Sequence, residues 1–434
     1  MTWPLGRKVD AYWPATSGII SRPGYRYRAW IPPFIADAVP ALSGSSLVSL
    51  TEAEAALAAL VLQPVYGAVN LADALIRIEA VSSSRIEGLK LSHRALALTL
   101  AELPGRSSTA VAVAHNVTAM IEAIDQSAKG SFSVELIQSV HATLCSGTQL
   151  DDIAGIIRDT QNWIGKSGTG PQPGDYVPPP PELVHDLLAD LCDFANRSDM
   201  PAVFQAAAVH AQFELIHPFA DGNGRVGRCL VQAVLANRGA TSDNRPPISA
   251  ILATDIPAYV SGLGLYREGD INGYVEAFSK ATIGAVVRVQ SVQEAVSTLR
   301  EDWLDRLNNP RRGSLLRRSL EVLPKNPVLN ASSLSMALNT DTLQAIRVLN
   351  ALGTAGILTP VKSGKRNRVW IASEVTEIYD TFDYVIANAG QTIKPAPSQP
   401  MGKRLSNPPA ARTPDDHPEP DPQPPHHGFG KGLR

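Results

Sequence analysis

The residues best suited to chemistry lie in one short run, His210-Ala-Gln-Phe-Glu-Leu-Ile-His-Pro-Phe-Ala-Asp-Gly-Asn-Gly-Arg-Val-Gly-Arg228. Pro218 pushes the residue before it out of helical geometry, so His217 is expected at a helix end, facing a loop. Gly222 and Gly224 permit positive φ and close backbone approach to a ligand. The next helix is expected to start near Gly224 and run through Val231 to Leu235. A glycine-bearing loop at a helix start is an anion site, because free N–H groups and the helix dipole point at the ligand. Arg225 and Arg228, three apart, share a helix face. Two guanidinium groups beside an anion hole suit a di- or triphosphate. Asp221 offers a hard carboxylate oxygen, suited to Mg2+ that also carries waters and phosphate oxygens. A neutral His217 can take a proton from an attacking hydroxyl. A base, a metal ligand, an anion hole and two charge clamps are the parts that phosphoryl or nucleotidyl transfer needs.

The scaffold for these groups is expected to be mainly helical. The 434 residues are 44% hydrophobic, 18% charged and 6% aromatic, a composition of ordinary globular type with room for two to three domains of roughly 150 residues. A net charge of −2 gives no global pull toward nucleic acid or membrane. Cys145, Cys192 and Cys229 are few and widely spaced, which reads as buried apolar positions rather than disulfides or a zinc site. The N-terminus lacks the apolar core of a signal peptide. The most apolar stretch, around Ala55 to Val69, is interrupted by Gln63 and Pro64 and is too short to span a bilayer. A cytoplasmic protein is the resulting expectation.

Along the chain, residues 1–50 are rich in Pro, Trp and Tyr and read as an irregular segment packed on a body by its aromatics. Residues 51–110 read as N-terminal helices and 111–300 as the helical domain holding the central run. Apolar residues recur at helical spacing in Leu71–Val81, Val117–Ile124, Leu136–Leu144, Leu183–Phe194 and Phe204–Ile216. The Gly/Pro-rich stretch from Trp163 to Pro181 reads as a hairpin loop. Residues 311–375 combine helix-like runs at Ser314–Leu323, Ala331–Leu338 and Thr342–Leu352 with short apolar pieces around Ser363-Gly-Lys-Arg-Asn367. That pattern suggests a winged helix-turn-helix. Residues 390–434 are Pro-rich and polar, and are expected to be disordered.

The run from His217 to Arg228 resembles the signature of the Fic family, His-x-Phe-x-[Asp/Glu]-Gly-Asn-Gly-Arg-x-x-Arg, at every specified position. The likeness covers roughly residues 60–300, including His210, Phe213 and Glu214 before the motif. It implies a Fic-like helical bundle whose Trp163–Pro181 hairpin is a flap holding a target segment. It also implies transfer of AMP from ATP, with Mg2+, to a hydroxyl of a protein target. By the same resemblance Asn223 contacts the α-phosphate, Arg225 and Arg228 the β- and γ-phosphates, and glycine at 224 fits AMP transfer rather than the Doc-type phosphotransferases, which carry lysine there. Upstream, Ser83-x-x-x-Glu87-Gly88 resembles the family's inhibitory motif, in which the Glu pairs with the second signature Arg, here Arg228. A carboxylate there removes the γ-phosphate's clamp and repels the phosphate. The inhibiting helix would belong to the same chain or to a swapped copy in a homodimer. Taken alone, these serines could equally end one helix and start another.

Other signals carry less. Gly165-Lys-Ser167 lacks the glycine at position 160 that a phosphate-binding P-loop needs. His141 and His210 sit within helical patterns and read as core residues, and His426-His427 is a weak metal signal. In the winged-helix segment, Lys362, Lys365, Arg366 and Arg368 suit phosphate contacts while Gln344 and Arg347 suit a DNA groove. Two other functions therefore stay open: a DNA-binding regulator with a nucleotide-sensing site, and a Fic enzyme that removes AMP. Self-modification is a further expectation, and the target protein is not readable.

Overall fold

The central run sits at the junction of two buried helices. The computed structural model describes residues 3–15, 23–62, 71–103, 105–165, 170–171, 176–361 and 368–387. The expected disordered tail, the tip of the proposed flap, the look-alike pair Lys166-Ser167 and the wing residues 362–367 lie outside them. Residues 1–391 form one compact unit.

The chain opens with strands β1 (Arg7–Trp13) and β2 (Tyr25–Ile31), paired antiparallel with Ala11 opposite Tyr27. The expectation of an irregular segment was wrong here. Tyr25-Arg-Tyr-Arg28 alternates aromatic with charged residues, the period of a half-buried strand. Tyr27 and Ala29 face inward with Val177, while Arg26 and Arg28 face solvent.

Helices follow: α1 (Gly44–Leu62), α2 (Ala72–Ile86), α3 (His93–Leu100), α4 (Ser108–Lys129), α5 (Val134–Cys145), α6 (Val184–Ala195), α7 (Ala202–Ile216), α8 (Asn223–Asn237), α9 (Ile248–Leu252), α10 (Ile256–Arg267) and α11 (Ile271–Arg306). Several begin where an oxygen-bearing side chain satisfies a free N–H of the first turn, as Ser107, Ser133, Asp255 and Asp270 do. Helix α7 is buried at every position except Glu214, its polar Gln205, His210 and Gln212 included, which marks it as the central helix. It packs along α8, which in turn packs on α4. Among the described helices only α1 is long and apolar enough to cross a membrane by length and composition. The apolar stretch thus begins earlier than the sequence suggested, and its face of Leu50, Ala53, Leu57 and Leu60 is buried, with the helix packed on α11.

The C-terminal part holds α12 (Leu315–Val322), β3 (Val328–Leu329), α13 (Ala331–Leu338), α14 (Thr342–Thr354), β4 (Thr359–Pro360), β5 (Trp370–Ile371) and α15 (Ser373–Ala387). Its strands form a small antiparallel sheet in the order β3-β5-β4. This part docks on the first helices. Arg77 of α2 donates to the Lys325 carbonyl, and the His93 N–H donates to Asp380 Oδ1 at 2.7 Å. Glu374 accepts from Trp303 Nε1 at 2.8 Å and pairs with Arg306 at 2.7 Å.

Candidate active site

Helix α7 ends at His217, whose backbone is left-handed at φ 50° and ψ 60° and whose N–H closes on the Phe213 carbonyl at 2.9 Å. Histidine is among the few non-glycine residues that enter this region readily. Its Nδ1 lies 3.3 Å from the Glu214 carbonyl. A proton on Nδ1 donated there leaves Nε2 with its lone pair, the atom a base needs. Burial pushes the imidazole down to about 4, with the Arg158 charge adding to it against the Glu214 carbonyl bond and Glu87. His217 is therefore neutral near pH 7.

The loop after it is tied down by residues that sequence reasoning did not select. Arg158, 5% exposed, donates from Nε to the His217 carbonyl at 2.9 Å, while its N–H reaches the Pro218 carbonyl at 2.9 Å. Asn162 Nδ2 donates to the Phe219 carbonyl at 3.0 Å. His141 stacks on Phe219 with ring centroids 3.7 Å apart. Its Nδ1 accepts from the Gly155 N–H, so Nε2 carries the proton and donates to the Asp221 carbonyl, each bond 3.0 Å long. Burial pushes His141 down to about 4, consistent with that neutral form.

Gly222 sits at φ 82° and starts α8. The first turn of α8 thus presents free N–H groups at Asn223, Gly224 and Arg225 to the loop. Asn223 spends its side chain on the loop: Oδ1 accepts from the Phe219 N–H and Nδ2 donates to the Phe219 carbonyl, both at 2.9 Å. What it can offer a ligand is its backbone N–H. Arg225 is buried, and its Nε has no hydrogen-bond partner among the described residues, a donor suited to an incoming anion. Asp221 is exposed and accepts from the Gly222 N–H. Among the described residues no group of three or more His, Cys, Asp or Glu could hold a metal. One exposed carboxylate fits Mg2+ that arrives with phosphate and water ligands, not a protein-built cage.

An acid lies against the second signature arginine. Helix α2 runs unbroken through Ser82, Ser83 and Ser84, so these serines do not separate two helices. Arg228, 1% exposed, donates from Nε to Ser83 Oγ at 2.9 Å and from Nη2 to the Ser83 carbonyl at 3.0 Å. Nη2 also reaches Glu87 Oε1 at 2.7 Å. Burial raises the Glu87 carboxyl, but the Arg228 charge and hydrogen bond outweigh it, with Arg225 and His217 adding, and hold it below the usual carboxylate value. A Cβ at position 224 would fall 2.1 Å from Glu87 Oε1, which gives the glycine there a local reason. Gly88 at φ 81° lets the chain turn away directly after Glu87. Further back on α2, Glu79 accepts from the Ser249 N–H at 2.8 Å, and burial pushes it up to about 7. Asn116 of α4 donates to the Ala80 carbonyl at 3.0 Å and to Ser84 Oγ at 3.1 Å.

The structure thus brings Ser83, Glu87, Gly224 and Arg228 into contact, with Arg225 and His217 near enough for their charges to act on Glu87, Gly222 and Asn223 shaping the loop, and Asp221 at its exposed edge. The base of the proposed flap is present as an antiparallel bridge between Ile164 and Tyr176. Tyr176 OH fastens it to the Leu215 carbonyl at 2.6 Å.

Residues 131–235 match the family model described as Fic/DOC family. Protein adenylyltransferase fic-1 of Caenorhabditis briggsae is 32% identical over 138 residues, 31% of this chain and 24% of that protein. A probable protein adenylyltransferase of Aquifex aeolicus is 31% identical over 122 residues, 28% of this chain and 34% of that protein. The chain therefore spans only about a quarter to a third of the curated relatives it matches. A crystal structure of a Fic family protein from Desulfovibrio desulfuricans G20 aligns at 21% identity and a TM-score of 0.46, covering 77% of this chain and 98% of that one. With its signature loop, helix-start anion site and matching family model at 131–235, this chain carries a Fic/DOC family domain.

Proposed function

We propose that this chain is a protein adenylyltransferase held inactive by Glu87. A target Ser, Thr or Tyr hydroxyl attacks the α-phosphorus of ATP. A new O–P bond forms, the bond to the β-phosphate oxygen breaks, and pyrophosphate leaves. His217 Nε2 takes the hydroxyl proton. The α8 N-terminus, with the backbone N–H of Asn223 and Gly224, steadies the phosphates, and Arg225 and Arg228 grip the β- and γ-phosphates. ATP enters as its Mg2+ complex, and Asp221 is the residue placed to hold the ion. The observation that carries this reading is that Glu87, an internal anion, lies against Arg228 at 2.7 Å where a phosphate would sit. While it is there, ATP lacks its γ-phosphate clamp.

The test is intact mass of wild type, Glu87→Gly and Glu87→Gly/His217→Asn after incubation with ATP and Mg2+, together with labelled-ATP transfer to added proteins. An AMP-sized gain is expected for Glu87→Gly alone. Equal incorporation by wild type removes the inhibitory role. A Glu87→Gly protein that neither binds ATP nor transfers AMP removes the enzymatic one. Incubating an AMP-modified protein with each variant separates transfer from AMP removal, the other reaction such a site can run.

A second reading rests on the C-terminal part, which we take as a winged helix contacting DNA. Helix α14 buries Ala345, Val348, Leu349 and Leu352 and leaves Gln344 and Arg347 exposed. Duplex binding that weakens steeply with salt supports it; no binding at low salt removes it. In either case a cytoplasmic setting is proposed.

A further inference from the structure

Arg228 donates three of its hydrogen bonds to α2 and its cap: two to Ser83 and one to Glu87. The fourth goes elsewhere. Its Nη1 lies 3.4 Å from the hydroxyl of Tyr259 on α10. That hydroxyl also sits 2.9 Å from His210 Nε2, and the two rings stack at 5.8 Å with 13° between their planes. His210 Nδ1 faces Glu214 Oε1 at 3.9 Å, beyond hydrogen-bond reach, and neither atom has a hydrogen-bond partner among the described residues.

We propose that His210 and Tyr259 form a positioning relay that keeps Arg228 aimed at the phosphate site once Glu87 has left it. The polarity of the two bonds is consistent. His210 is fully buried, and burial pushes it down to about 3, so the ring is neutral. Nδ1 can then carry the proton, leaving Nε2 to accept from Tyr259. Burial raises the Tyr259 phenol, so it keeps its single proton for that bond and its oxygen accepts from Arg228. A buried guanidinium that loses its carboxylate partner is costly unless other acceptors hold it. Tyr259 is the acceptor that does not depend on α2. The packing leaves no slack: a Cβ at Gly227 would fall 2.7 Å from Glu214 Oε1 and 3.2 Å from His210 Nδ1.

This inference rests on the reading of Arg228 as the γ-phosphate clamp, and its test separates the two. Binding of a β,γ-imido ATP analogue and of AMP is measured for the full-length Glu87→Gly protein and for Glu87→Gly/Tyr259→Phe, alongside their melting temperatures. The expected result is affinity for the ATP analogue about tenfold weaker in the double variant, with AMP affinity unchanged and a melting temperature lowered only as far as the loss of one buried hydroxyl requires. A double variant that binds the analogue as well as Glu87→Gly does overturns the relay, as does equal loss for both nucleotides, which would mark a merely structural role. A Glu87→Gly protein that binds neither nucleotide overturns the site reading, and the relay with it.

Discussion

His217 shows how one residue's setting defines its chemistry. Because burial holds the imidazole at about 4, it is unprotonated across the physiological range. The rate of AMP transfer by Glu87→Gly should stay flat from pH 8 down to about 5.5 and fall only toward pH 4, since protonation removes the base. An acid limb centred near the ordinary histidine value of about 6.5 in a pH–rate profile would contradict this. Glu87 has the opposite logic. Its folded-state value is depressed, so the pairing with Arg228 is complete above the unfolded value and is lost only as pH falls through the folded one. Mild acidification from pH 8 to 6 should therefore not activate the wild type in the same assay. His217 also has left-handed backbone geometry. Alanine there adds strain to loss of the base, whereas asparagine tolerates the conformation. His217→Asn should abolish transfer with a smaller drop in melting temperature than His217→Ala.

At the scale of elements, the proposed inhibition depends on α2, the helix that ends at Glu87. Asn116→Ala removes two bonds to it, from the Ala80 carbonyl and Ser84 Oγ, and should cost about 1–3 kcal/mol. The expected outcome is a lower melting temperature together with a raised basal AMP transfer; a drop in melting temperature without activation would show that Glu87 stays in place regardless. Helix positions were legible because apolar residues in α2, α4, α5, α6 and α7 repeat at helical spacing. The active loop was legible because Pro218, the two glycines and the two arginines each have a distinct backbone or charge role. The supports of that loop were not. Arg158, Asn162 and His141 bond to backbone carbonyls of His217, Phe219 and Asp221, and a carbonyl leaves no mark in a sequence to pair them with. The N-terminal hairpin was missed for another reason. Its strands alternate over only seven residues each, and the flanking prolines and aromatics suggested irregular packing instead.

Across the whole molecule, the C-terminal part shares the apolar core of the preceding helices, through residues such as Val375 and Tyr379, and polar contacts add to that packing. Glu374 makes such contacts, accepting from the fully buried Trp303 and pairing with Arg306. Glu374→Ala leaves a buried indole N–H unpaired and should cost about 1–3 kcal/mol, visible as a lower unfolding midpoint in denaturant. An unchanged midpoint would mean that water replaces the carboxylate there. Helices α2 and α3 are themselves fastened to this C-terminal part, by Arg77 on the Lys325 carbonyl and His93 on Asp380. At the other end of α2, Glu87 caps the helix with its side chain 41% exposed, next to Gly88, where a Cβ would meet open space. On the proposed reading, displacing Glu87 need not disturb the rest of α2: the acid stands past the anchored stretch, within reach of a ligand pressing from inside or a partner touching the outer surface.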